Sequence, residues 1–238
     1  MLTFADELRQ SSIKTWQGIL NHKFVVEIYN DTLPVDKFVF YLKQDQLFLK
    51  EFCRFLSVAK DKSDNNADLV KFFDSLAYST VNFEMKMQDQ IIVDSLSLLR
   101  SEQPSSCIRN LNVLPSKITI EYIIYLEQVS SNGSIGEIVS AMAPCPWTYL
   151  EIADKLAKSH HVQNNRIYKK WVQFYSSDES RRQTSHLKTI LCLLADDKAR
   201  NEDRLAMKKL FATACKYEFL FWDMAYRHHV HTKGRFVW

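Results

Sequence analysis

A chain of 238 residues, 46% hydrophobic and 25% charged, has enough apolar material for one large core or two small ones. Its 31 basic and 28 acidic residues leave a net charge of +3 that is scattered rather than blocked, which argues against a nucleic-acid-binding face. Only four glycines are present, too few for the turns of a parallel α/β fold or a β-sandwich, and neither GxGxxG nor GxxxxGK[ST] occurs to cradle a phosphate.

Apolar residues recur at helical spacing from the start and predict a first helix over residues 3–22. A short second helix precedes the Asp31-Thr32-Leu33-Pro34 break, although 24–28 is also readable as a strand. Pro34 suits the first turn of a long helix reaching about residue 60, because its missing N–H costs nothing there. Residues 61–66 are a polar loop, 67–100 a second long amphipathic helix, and 101–115 a Ser/Pro/Asn-rich surface connection. Further helices are predicted at about 117–131, 135–143, 147–159, 165–176, 180–198 and 203–229. The densest basic stretch, Arg181, Arg182 and Lys188, has Asp178 and Glu179 beside it and reads as a solvated helix face. With no internal repeat and no long linker, the expectation is one all-α domain over 1–238, a single multi-helix bundle.

The five cysteines, Cys53, Cys107, Cys145, Cys192 and Cys215, are odd in number and form no CxxC pair. Neither a disulfide framework nor a zinc site is supported, and a reducing compartment is the simpler reading. No secretory leader and no run of about 18 apolar residues is visible, so a cytoplasmic protein without a membrane partner is expected.

Charges placed where core residues belong are more informative. Around Asp45, the positions three, four and seven residues away are Phe38, Tyr41, Leu42, Phe48, Leu49 and Phe52, all apolar or aromatic. Around Glu218 they are Phe211, Ala214, Cys215, Phe221, Trp222 and Ala225. An unpaired buried carboxylate is costly, so each acid is either matched within a structural pair or faces a polar cavity. Two acids flanked by aromatics also fit one aromatic pocket with tuned carboxyl groups. Tyr122 lies in a third stripe with Ile118, Tyr125, Leu126 and Val129, where it is either core or a hydroxyl donor. Cys145 sits in Pro144-Cys145-Pro146, just before a helical run. If Pro146 takes the first helical position, Cys145 becomes the N-cap, where the helix dipole lowers a thiol's pKa. A lone cysteine can equally be structural.

Together these segments resemble the TenA-type thiaminase II family, a branch of the haem-oxygenase-like helical superfamily. The carriers are Gln44-Asp45-Gln46-Leu47-Phe48-Leu49; Tyr122 with Ala143-Pro144-Cys145-Pro146-Trp147-Thr148-Tyr149; Tyr168-Lys169-Lys170-Trp171 with Tyr175; and Tyr217-Glu218-Phe219-Leu220-Phe221-Trp222 with Met224-Ala225-Tyr226. The likeness runs in order over roughly residues 5–228. It implies hydrolysis of 4-amino-5-aminomethyl-2-methylpyrimidine, or of thiamine, to 4-amino-5-hydroxymethyl-2-methylpyrimidine, with no metal and no cofactor. It implies Cys145 as the nucleophile at ring carbon 6, Asp45 on the aminopyrimidine edge, and Glu218 moving protons at the leaving group and water. Tyr122 and Tyr175 would donate phenolic hydrogen bonds, and Tyr149, Phe48 and Phe221 would wall the ring. Many members carry tyrosine where this chain has Phe48, which puts a hydroxyl donor and the choice of substrate in question. A homodimer or homotetramer is also implied.

Two other readings stay open at this stage. A di-iron bundle needs Glu-x-x-His pairs, but Glu84 is followed three residues on by Met87 and Glu218 by Phe221. His228, His229 and His231 read as solvated rather than metal-binding, and His22 at a helix junction is a weak candidate haem ligand. A non-catalytic pyrimidine-binding or regulatory protein is the second reading, without any helix-turn-helix signature to make it a DNA reader.

Overall fold

The computed structural model describes residues 2–63, 66–102, 113–196 and 200–228. Among the described residues every regular element is helical. A Thr3–Asp6 capping box opens α1 (Phe4–Ser11), and α2 (Ile13–Leu20) follows after a break at Ser12, where φ is −107° and ψ 14°. The predicted 3–22 helix is therefore two. The ambiguous 24–28 segment resolves as helix in α3 (Lys23–Tyr29). Asp31 then turns the chain in the left-handed region at φ 58°, and its carboxylate accepts from the Asn165 side chain at 2.7 Å. Pro34 is the N-cap of α4 (Val35–Asp61) rather than a residue of its first turn.

The predicted 67–100 helix is interrupted. Asn66 caps α5 (Ala67–Ser79), which runs into a π-helical turn at Thr80–Glu84 before α6 (Met85–Glu102). After the connection come α7 (Lys117–Asn132), α8 (Ile135–Met142) and α9 (Pro144–Leu156). Gly133 is the C-cap of α7, where a Cβ would lie 2.6 Å from the Val129 carbonyl oxygen, so a larger residue fits only if the backbone shifts. A short helix that the periodicity does not reveal, α10 (His160–Asn164), precedes α11 (Arg166–Tyr175), α12 (Asp178–Leu194) and α13 (Asn201–Arg227).

The two 27-residue helices, α4 and α13, touch each other, and the rest pack around them. Their inner faces bury Phe38, Tyr41, Phe211 and Trp222 completely, with Trp16 and Trp171 closing the core from α2 and α11. One polar knot ties α1 and α2 to α9. The Glu151 carboxylate accepts from both indole N–H groups, Trp16 at 2.9 Å and Trp147 at 2.8 Å, and from Arg9 at 3.0 and 3.1 Å. Glu151→Ala leaves two buried indole donors and a guanidinium without an acceptor. It is expected to destabilise the fold by about 3 kcal/mol in urea titration, with Glu151→Gln in between; a loss under about 1 kcal/mol would mean water replaces the carboxylate.

Candidate active site

Asp45 and Phe48 lie on α4, Tyr122 on α7, Cys145 and Tyr149 on α9, Tyr175 on α11, and Glu218 and Phe221 on α13, and all are buried or half-buried. They do not all meet at one surface. Asp45, Cys145, Tyr149 and Tyr175 line a cleft that encloses about 600 Å³ of space, counted out to its mouth. Phe48, Tyr122, Glu218 and Phe221 do not line that opening and are buried beyond it. Phe48 packs at 4.7 Å between ring centroids from Tyr122 and 6.1 Å from Phe221.

Two hydrogen-bonded groups occupy the site. In the first, the Tyr122 hydroxyl donates to Glu218 Oε1 at 2.7 Å, and the Cys145 thiol is hydrogen-bonded to the same carboxyl group. In the second, the Gln88 amide donates to Asp45 Oδ2 at 2.6 Å and to the Tyr175 hydroxyl at 3.3 Å, while Tyr175 donates its one proton to Glu84 Oε1 at 2.6 Å. The Trp171 indole donates to Tyr41 at 3.3 Å and Tyr41 to Tyr149 at 3.2 Å, which leaves the Tyr149 proton for Asp45. The protons of Tyr122 and Tyr175, expected to meet a ligand, are thus committed to Glu218 and Glu84.

The electrostatics are those of several acids held largely away from water. Burial pushes Asp45 well above the usual carboxylate range, reinforced by the charge of Glu84. Burial likewise raises Glu84 and Glu218 to about 7 each, against opposing hydrogen bonds from Tyr175 and Tyr122. For Cys145 the expectation of a lowered thiol pKa is wrong. Pro144 is the first residue of α9 and Ala143 its N-cap, so Cys145 lies inside the first turn between two prolines. Burial and then the charges of Glu218, Asp45 and Glu84 hold the thiol well above its ordinary value, outweighing the helix dipole. At rest it is a neutral thiol hydrogen-bonded to the Glu218 carboxyl group.

Glu84 and Gln88 are functional candidates that periodicity alone does not reveal. Thr80, Glu84 and Gln88 recur every fourth residue and so read as one solvated stripe of an ordinary helix. The π-helical turn that ends at Glu84 reverses this: Thr80 and Gln88 are buried, while Val81 and Phe83 are exposed. The interrupted hydrogen-bond ladder has no marker in composition.

The raised Glu84 pKa makes a stability prediction. Between about pH 4.5 and 7 the unfolded chain has released a proton that folded Glu84 retains, so stability falls as pH rises through that window and levels off above it. Glu84→Gln is expected to remove about 3 kcal/mol of that fall, measured as unfolding free energy at pH 5 and 8. An unchanged pH dependence would show that Glu84 titrates normally.

The remaining histidines stand apart. His22 Nδ1 accepts from the Phe24 backbone N–H at 3.2 Å as the cap of α3, and Nε2 lies 3.7 Å from Asp223, so the ring has a structural task in place of the haem ligation considered for it. The His228 ring stacks on Phe40; His229, His231 and Cys107 lie outside the described residues. Cys53, Cys145, Cys192 and Cys215 are free thiols. Among the described residues no helix is long and apolar enough to cross a membrane.

The chain is 30% identical over 230 residues to an aminopyrimidine aminohydrolase of Bacillus subtilis, covering 95% of this chain and 91% of that one. It is also 30% identical over 220 residues to the Helicobacter pylori protein of the same name, covering 92% and 97%. Among solved structures, a TenA homologue from P. horikoshii OT3 superposes with a TM-score of 0.79 at 27% identity, covering 95% of this chain and 99% of that one. The fold alone extends to haem oxygenase-1 of Synechocystis, with a TM-score of 0.62 at 11% identity over 94% of this chain and 92% of that one. Residues 9–228 match the TENA/THI-4/PQQC family along nearly the whole all-α bundle, and the chain belongs to that family.

Proposed function

We propose that this chain is a thiamine-salvage hydrolase that cleaves the exocyclic C–N bond of 4-amino-5-aminomethyl-2-methylpyrimidine, releasing ammonia and the 5-hydroxymethyl compound, with thiamine as the alternative substrate. The observation that carries this reading is the Cys145 thiol, hydrogen-bonded to the buried Glu218 carboxyl on the wall of an aromatic cleft that also presents Asp45. The names of the relatives support the reaction class, hydrolysis of a C–N bond.

The chemistry follows from the proton positions. As the thiol sulfur bonds to ring carbon 6, its proton passes to Glu218, which is held near neutrality and so suits a general base at physiological pH. The ring C6–N1 π pair moves onto nitrogen. Asp45, anchored by Gln88, accepts from the 4-amino edge, and that amino group's lone pair then expels the substituent on the C5 methylene. Water adds to the exposed methylene and gives up its proton to the departed ammonia; the pair on ring nitrogen re-forms the C6–N1 π bond as the C6–S bond breaks, and Glu218 returns its proton to the sulfur. Tyr149 walls the ring from α9 and fixes Asp45, while Phe48 backs Tyr122 through its aromatic face and supplies no hydroxyl. Ammonia release from the aminomethyl compound, followed in parallel with thiamine, tests the assignment. Turnover of either compound is expected. Binding of the pyrimidine with no turnover of either would instead make the chain a non-catalytic binder.

A further inference from the structure

Glu84 lines the same cleft as Asp45 and Cys145 and joins Asp45 through Tyr175 and Gln88, yet no step has used it. No Lys, Arg or His is among the residues lining the cleft, and Glu84 forms no ion pair among the described residues. A carboxylate accepts about four hydrogen bonds, and Tyr175 and Thr80 account for two, so capacity remains on the cleft side. The π-helical turn at Thr80–Glu84 is the local distortion that brings the side chain inward. Glu218, by contrast, is engaged by Tyr122 and Cys145 and does not line the opening.

We infer that Glu84 is the subsite for the positively charged leaving group, receiving the ammonium on the substrate's C5 arm and keeping it protonated until the C–N bond breaks. This rests on the aminopyrimidine reading and moves the leaving-group half of the role expected of Glu218 onto a different residue. The chemical need is plain. A primary alkylamine is a cation in water, but a site walled largely by Leu49, Phe52, Leu76 and Phe174 favours its neutral form, and that form would have to depart as an amide anion. Paired with Glu84, the arm stays an ammonium; the C–N electron pair leaves with nitrogen as neutral ammonia, and no further acid is required. The thiazolium of thiamine carries a fixed positive charge that the same carboxylate would pair with. The hydroxymethyl product is neutral and makes no such pair, so the subsite favours substrate over product.

The test uses the full chain with Cys145→Ser, which is expected to bind with turnover slowed by about a hundredfold or more. Titration calorimetry is run with the aminomethyl and the hydroxymethyl pyrimidine, with and without added Glu84→Gln. The glutamine keeps an acceptor for Tyr175 and removes only the charge. The amine is expected to bind about 10- to 100-fold more weakly with Glu84→Gln, while the neutral compound changes less than about threefold. Tyr175→Phe, which loosens Glu84 without removing its charge, should affect both ligands alike. Unchanged amine affinity, or equal weakening of both ligands by Glu84→Gln, overturns the inference. If the wild-type chain turns over the amine while either of those results holds, the leaving-group subsite falls alone. If it turns over neither compound, and neither pyrimidine binds, the functional reading falls with it.

Discussion

Cys145→Ser should lower ammonia release by about a hundredfold or more while the variant still binds the hydroxymethyl pyrimidine and unfolds at nearly the wild-type temperature. The substitution is close to isosteric and keeps a group that can donate to Glu218, so packing around Pro144 and Thr148 has little reason to change. What changes is the acid to be deprotonated. A thiol raised by burial is still within reach of a carboxylate poised at about 7 when proton transfer accompanies bond formation; a serine hydroxyl is many orders of magnitude weaker as an acid. Steady-state kinetics on the aminomethyl compound gives the answer. A variant that keeps more than about a third of wild-type turnover would mean that water attacks directly and Cys145 only lines the cleft.

The parts of this site that could be read in the sequence are those where an acid interrupts an apolar stripe on a long regular helix. Asp45 and Glu218 sit near the middle of α4 and α13, where the 3.6-residue period persists long enough to fix which face is inside. Two kinds of information were out of reach. The breaks at Ser12 and at Thr80–Glu84 change which backbone groups pair without changing composition, and the second makes a polar stripe the buried one. The Cys145 thiol is raised first by burial and then by carboxyls more than 60 positions away in the chain, from α4, α13 and the π-helical turn, so a local argument from the helix terminus gave the opposite sign. Burial and tertiary charge together outweigh a helix dipole that acts over one turn.

Glu218→Gln carries the second large effect, expected as a fall in kcat of about a hundredfold with pyrimidine affinity nearly kept. The amide oxygen still accepts from Tyr122 at the position where the carboxylate accepts now at 2.7 Å, so the buried hydroxyl is not stranded and the layer formed by Phe48, Tyr122 and Phe221 stays packed. The thiol, however, loses the carboxyl group that is hydrogen-bonded to it and can take its proton. The pH profile separates this from a general loosening of the site. In the wild type both Glu218 and Glu84 ionise near 7, and both must be charged: one to accept the thiol proton, the other to hold the ammonium. Below that pH, log kcat/KM should therefore rise with a slope approaching about two, the apparent values belonging to the coupled pair rather than to either residue. In Glu218→Gln one ionisation remains and the slope should drop to about one. A residual activity with the wild-type slope would assign the proton transfer elsewhere and leave Glu218 as the residue that merely positions Tyr122 and Cys145.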